Sequence, residues 1–557
     1  MMNVKRQKTG FAWTLLLSMM LTFLIGCSSS DSTPPVSVQR DTSLGTVMGI
    51  DNSDASGTYS WLGIPYAKPP VGALRWMPPV DADAWSGVRP AQQFGASCAQ
   101  VGSLFGPAQD NIYGLSVRDS FNKPVGSEDC LTLNIWRPST TDTKLPVIVY
   151  IHGGSNISGY SADPVFNGAM LAAKAQVVVV TINYRLGLLG WLNLAQLKTG
   201  EALADSGNFA TLDQVQALKF INANIAAFGG DPGNVTVMGE SAGAANTWAM
   251  LVSPLTDGLM HKAIAMSGGL ISSSQAVTQE YANGLLISLV IADGKAADTA
   301  SAQVYLATQS ASQIATYLRA KSSDDLLKMS LALRAPGNAQ FKYIIEDGTV
   351  IPTSPTAAIL AGNYRHVPVL QGNTAEEGKL FVALKPNTYD RFTMEYNFDP
   401  DAAPTLVEGD FLLTQYLPVD TPGTGWNAVT ATVTGWMFIS GNSETMNRLA
   451  QMQPTQVWYY RFAWNQQPTP FNTVYGASHA MDLPFVFGNF GKNSFSYGFS
   501  QANKPGREAL SNAVIASIAA FMKTGNPNNA ALGANWNNWP ATLVFDASAS
   551  QVRISAE

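Results

Sequence analysis

Residues 235–243 read Val-Thr-Val-Met-Gly-Glu-Ser-Ala-Gly, and a helix-forming run follows over 244–251. No other stretch constrains the fold as tightly. A β-branched strand must pass into a helix through a turn only five residues wide, Gly239 to Gly243, with Ser241 at its apex. A serine there has to adopt strained backbone angles, and the flanking glycines leave room where a Cβ would collide with neighbouring elements. The serine then stands at a helix N-terminus, where backbone N–H groups and the helix dipole favour developing negative charge. Ser241 is therefore a candidate nucleophile, and the N–H of Ala242 is a candidate donor to an oxyanion.

Short β-branched runs at 147–151, 177–182, 235–238, 367–370 and 457–462 read as buried strands. Longer helical patterns lie between them. Residues 212–227 carry apolar side chains near helical period and stop at Phe228-Gly229-Gly230-Asp231-Pro232; 511–523 is a second such helix, closed by Gly525, Asn526 and Pro527. Strands alternating with helices predict a mostly parallel central sheet covered by helices on both faces. The stretches 271–366 and 381–455 are less regular, and are expected to hold helices that wall the site. With 46% hydrophobic residues the chain can bury a large core. No dense Lys/Arg run occurs after residue 10, so no nucleic-acid partner is indicated. No His/Cys cluster at ligand spacing points to a metal, and no cofactor is implied.

The N-terminus reads as an export signal. Lys5, Arg6 and Lys8 precede an apolar run over 11–25, which ends in Leu24-Ile25-Gly26-Cys27. That box resembles the one found in bacterial lipoproteins, where the cysteine is acylated and becomes the new terminus. The expected organisation is a signal peptide over 1–26, then lipidated Cys27 with a flexible Ser/Pro-rich tether to residue 40, then a single catalytic domain over 41–557. The expected location is the bacterial cell envelope, with the protein held to a membrane by its lipid; Ser28 is compatible with outer-membrane sorting. Of the three cysteines, Cys27 would carry lipid, leaving Cys98 and Cys130 as a pair that an exported location allows to bond.

Several further blocks recur in order along the chain: Gly63-Ile64-Pro65-Tyr66-Ala67, Ser127-Glu128-Asp129-Cys130-Leu131, Asn183-Tyr184-Arg185-Leu186-Gly187, the run 224–243, and Ser253-Pro254-Leu255 through His261-Lys262-Ala263-Ile264. Together with the serine turn they resemble the type-B carboxylesterases, over nearly all of the mature chain. That family includes p-nitrobenzyl esterases, carboxylesterases, lipases and cholinesterases. The resemblance implies the α/β-hydrolase fold, a Cys98–Cys130 bridge and hydrolysis of small-molecule carboxylic esters. The same chemistry would also serve an amide. Non-catalytic binding proteins on this fold lack a working nucleophile, whereas this chain keeps one.

The resemblance also assigns the remaining site residues. The Gly-rich turn in Val147-Ile148-Val149-Tyr150-Ile151-His152-Gly153-Gly154-Ser155-Asn156 would give oxyanion donors at Gly154 and Ser155. Many relatives have glycine in place of Ser155 and a bulky apolar residue in place of Asn156. The triad order on this fold is nucleophile, acid, histidine. Of the four histidines, His152 lies in the oxyanion turn, His261 in a framework block and His366 before the expected acid, which leaves His479 in Gly476-Ala477-Ser478-His479-Ala480-Met481-Asp482. For the acid, Glu376 and Glu377 compete as neighbours. The family's acid directly precedes a glycine, which selects Glu377, before Gly378.

Overall fold

The computed structural model describes residues 37–557, apart from 110, 334–342, 387, 389–392, 399–404 and 441–442. The signal segment and Cys27 lie outside the described residues.

The frame is an eleven-stranded sheet. Its strands in chain order are β1 (Ile50–Asn52), β2 (Thr58–Pro65), β3 (Thr132–Pro138), β4 (Leu145–Ile151), β5 (Val178–Ile182), β6 (Gly230–Glu240), β7 (Lys262–Met266), β8 (Val369–Thr374), β9 (Val457–Phe462), β10 (Thr542–Ala547) and β11 (Val552–Ala556). They lie side by side as β11-β10-β9-β8-β7-β6-β4-β5-β3-β2-β1. Pairings from β5 across to β10 are parallel, and those at the two margins are antiparallel. Val147, Ile148, Val149, Tyr150 and Ile151 of β4 are all buried, so both alternating sets of side chains are covered. One set, with Ile148 and Tyr150, joins a core with Leu171 and with Leu510, Ile518 and Phe521 of the long C-terminal helix.

Three helices matter for the site: α1 (Phe209–Asn224), α2 (Ala242–Val252) and α3 (Lys504–Thr524). The sequence pattern places α1 three residues late. Its last expected turn is instead a tighter 3-10 turn, Ile225–Phe228, ended by Gly229 at φ 80°. It also starts α3 too late, because the first turn, Lys504-Pro505-Gly506, lacks apolar periodicity. The irregular stretch 271–366 does hold helices, but they build a satellite core. Leu285, Leu286 and Leu289 pack there with Ile314, Leu318, Leu326 and Leu188.

The sequence pattern extends the tether to residue 40, yet Gln39–Thr42 is a strand paired antiparallel with Gly45–Met48. Trp61 Nε1 donates to Val38 O at 2.7 Å, and the Arg40 guanidinium lies over the Trp61 ring. Backbone pairing and a tryptophan anchor need no apolar run, so composition alone could not place this edge.

The Cys98–Cys130 disulfide is formed. It closes a loop whose Gln100 side chain reaches the Gly-rich turn after β4: Gly159 N–H donates to Gln100 Oε1 and Gln100 Nε2 donates to Gly159 O, each at 2.9 Å.

Candidate active site

The site lies at the C-terminal ends of β4, β6 and β8, the end of a parallel sheet where ligand crevices open. At the end of β6 the backbone of Ser241 takes φ 58° and ψ −121°. Nothing but a tightly packed turn holds a non-glycine residue there. A Cβ on Gly239 would strike the Gly243 carbonyl, and one on Gly243 would strike the Ile151 carbonyl. Ser241 N–H donates to Met266 O on β7 at 2.9 Å, which pins the turn to the sheet. Ala242 opens α2, so its N–H is one of the groups that a helix leaves without an internal partner.

The Gly-rich turn sits directly against this elbow. A Cβ on Gly153 would come within 3.1 Å of the Ser241 Cβ. Gly154 and Ser155 both have left-handed backbone, at φ 101° and 56°. The turn closes with the N–H groups of Ile157 and Ser158 donating to Gly154 O, each at 3.0 Å, so the Gly154 and Ser155 N–H groups play no part in closing it. The Ser155 side chain is exposed.

The candidate base and acid meet across 102 residues. His479 Nδ1–H donates to Glu377 Oε2 at 2.5 Å. Glu377 is fully buried, and its other oxygen accepts from Thr374 N–H at 2.7 Å. Glu376 faces elsewhere: it pairs with Lys379 at 2.6 Å and accepts from Ala477 N–H at 2.8 Å. Its own N–H donates to Ala477 O at 2.9 Å. Glu376 thus ties the acid loop to the histidine loop, while Glu377 touches the imidazole.

The other three histidines are engaged in packing. His152 is buried against Tyr184, ring to ring at 4.5 Å, and burial lowers its pKa to about 4. His261 Nδ1 accepts from Val235 N–H at 3.1 Å. His366 stacks on Tyr364.

Sequence reasoning missed Glu240. Its Oε1 lies 3.1 Å from His479 Nε2, though not in hydrogen-bond geometry. Nε2 therefore faces Glu240 here, and no Ser241 hydroxyl–imidazole hydrogen bond is formed among the described residues. Such bonds are often long before substrate arrives. Burial pushes the Glu240 carboxyl above the usual carboxylate range, and a charged His479 beside it opposes that rise. Asp482, three residues after the histidine, is also buried; it accepts from Tyr460 OH at 2.7 Å, and burial raises it to about 7. The signal was present in the sequence: Glu240 is an acid after the uncharged run Val235–Gly239, directly before the serine.

Two aromatic rings border His479. Phe381 lies 4.8 Å and Phe438 5.1 Å from the imidazole centroid. Phe438 belongs to a single π-helical turn, Gly435–Ile439, whose Trp436 is 75% exposed. Single π turns of this kind are frequent at functional sites.

The model of the carboxylesterase family matches residues 36–553. The para-nitrobenzyl esterase of Bacillus subtilis (strain 168) is 33% identical, with 89% of this chain and 93% of that protein covered. A human protein named cocaine esterase is 31% identical, over 97% of this chain and 91% of its own length. Among solved structures, a PNB esterase superposes with a TM-score of 0.71 at 30% identity, covering 93% of this chain and 97% of that one. A carboxylesterase from Geobacillus stearothermophilus gives 0.70 at 30% identity, with 93% and 98% covered.

Proposed function

The chain belongs to the carboxylesterase family and is a serine hydrolase of carboxylic esters, and from that premise we propose that Ser241, His479 and Glu377 are its nucleophile, base and acid. The observation that carries this is the buried Glu377–His479 hydrogen bond, on an imidazole loop packed against the residue preceding Ser241.

In the first step Ser241 Oγ attacks the ester carbonyl as His479 takes its proton. The carbonyl π bond breaks, and the oxyanion is met by the N–H groups of Gly154, Ser155 and Ala242. On collapse, the C–O bond to the alcohol breaks and His479 returns the proton to the leaving oxygen. Water then attacks the acyl-enzyme carbonyl, with His479 again accepting the proton; on collapse the bond from the acyl carbon to Ser241 Oγ breaks, His479 returns the proton to Oγ, and the carboxylic acid is released. Glu377 holds the imidazole with Nδ1 protonated and stabilises its cation, without itself taking the proton. Ser155 donates through its backbone, so the loss of a glycine there leaves the donor in place. Phe381 and Phe438 give the leaving-group side an apolar wall, which suits neutral esters.

Two finer assignments rest on sequence. Residues 1–26 are an export signal, and Cys27 is acylated and holds the enzyme to an envelope membrane. Basic residues, run length and the four-residue box support this.

The deciding experiment is Ser241→Ala. It should abolish both ester turnover and covalent labelling by a fluorophosphonate, since loss of a triad member costs orders of magnitude in rate. Retained labelling at another serine would refute the assignment.

A further inference from the structure

The oxyanion turn passes through three successive left-handed residues, Gly154, Ser155 and Asn156, the last at φ 59°. Only the first is a glycine, so the surroundings must hold the other two. One buried amide reaches this turn. Asn246 is fully buried on α2, five residues after Ser241, and its Nδ2 donates to Asn156 Oδ1 at 2.9 Å. Before the turn, the Tyr184 hydroxyl donates to His152 O at 2.6 Å. His152 and Asn156 flank the two donor residues, Gly154 and Ser155. Asn156 is thereby tied to the helix that begins at Ala242.

We propose that Asn246 is a positioning residue for the oxyanion hole. It fixes the spacing between the Ala242 N–H on α2 and the Gly154 and Ser155 N–H groups on the turn, so that all three converge on one oxygen. An apolar pair would fill the same space, but a hydrogen bond also fixes distance and direction. Gln100 braces the far end of the turn at Gly159 from the disulfide loop, which leaves Asn246 as the link between donor turn and nucleophile helix. Asn156 is its matched acceptor.

The proposal rests on the reading of Ser241 and its oxyanion hole, and the test separates the two. Wild type, Asn246→Leu and Asn156→Leu are titrated with a fluorophosphonate, so that every rate is expressed per competent site. Asn246→Leu and Asn156→Leu should lose about tenfold to a hundredfold in kcat with KM little changed, the scale set by misplaced catalytic groups. Affinity for a trifluoromethyl ketone, which forms a tetrahedral adduct, should fall by the same factor. Affinity for the matching unreactive amide should hold. If Asn246→Leu yields no folded protein, Asn156→Leu carries the test through the same split between ketone and amide affinity. Unchanged ketone affinity in the leucine variants, or an equal fall in ketone and amide affinity, would overturn the proposal. Wild-type labelling at a serine other than Ser241 would overturn the underlying reading, and the proposal with it.

Discussion

His479 Nε2 lies 3.1 Å from Oε1 of Glu240, the residue that immediately precedes Ser241. The imidazole is thus flanked by carboxylates on both nitrogens, with Asp482 close by. Burial pushes the His479 pKa down. The charge of Glu240, then the charge and hydrogen bond of Glu377, then Asp482, outweigh it and hold the group up to about 9. A raised pKa favours the imidazolium, whereas the base must be neutral to take a proton from serine. Removing the Glu240 charge should therefore lower the His479 pKa. In Glu240→Gln the acid-side fall of kcat/KM should move to lower pH than in wild type. A pH–rate profile with an unmoved limb, or one shifted upward, would count against a charge–charge role for Glu240.

The two adjacent glutamates should behave differently. Glu377→Ala removes the hydrogen bond that orients the imidazole, and should cost several orders of magnitude in kcat. Glu376→Ala removes the Lys379 ion pair and the bond to Ala477 N–H. It loosens the histidine loop without taking the partner from His479, so its loss should be far smaller. Steady-state kinetics of the two variants decide the matter, and a dead Glu376→Ala beside an active Glu377→Ala would reverse the assignment.

Arg185 and Asp213 form a buried, two-pronged pair: Nε donates to Oδ2 at 2.8 Å and Nη2 to Oδ1 at 2.7 Å. Both side chains are nearly inaccessible. Asp213→Ala would leave the guanidinium buried without its counter-charge, and should destabilise the fold by about 3–5 kcal/mol. Denaturant unfolding measures it. A change below about 1 kcal/mol would mean that water or a neighbour replaces the carboxylate.

Cys27→Ala should shift the protein from the membrane to the soluble fraction. Each buried methylene contributes about 0.8 kcal/mol, so several acyl chains anchor firmly where one is marginal. Fractionation and mass spectrometry of the N-terminus test this, and an unmodified Cys27 would end the claim.

Much of this molecule is written locally. Gly239 and Gly243 mark the elbow because a turn that tight has no space for a Cβ. The strand at 457–462 is legible to the residue, because a short β-branched and aromatic run fits a covered sheet. His479 could be found by chain order among only four histidines. The Cys98–Cys130 bridge and the choice of Glu377 over Glu376 came through resemblance to a family; in the structure the two cysteines are bonded and Glu377 is the glutamate of the pair that touches His479.

Other features carry no local mark. Residues 39 and 40 begin a strand that their composition does not announce, because backbone pairing is indifferent to side chains. Glu240 against His479, Gln100 against Gly159, and Asn246 against Asn156 each join residues far apart in sequence, the last pair 90 positions apart. Local spacing dictates backbone angles, and so the sequence by itself determined the serine turn, several core strands and the candidate nucleophile. The direction in which a buried polar side chain points depends on which other elements pack against it. The tertiary structure alone decided that His479 is flanked by a second carboxylate and that one amide ties the Gly-rich turn to the helix after Ser241.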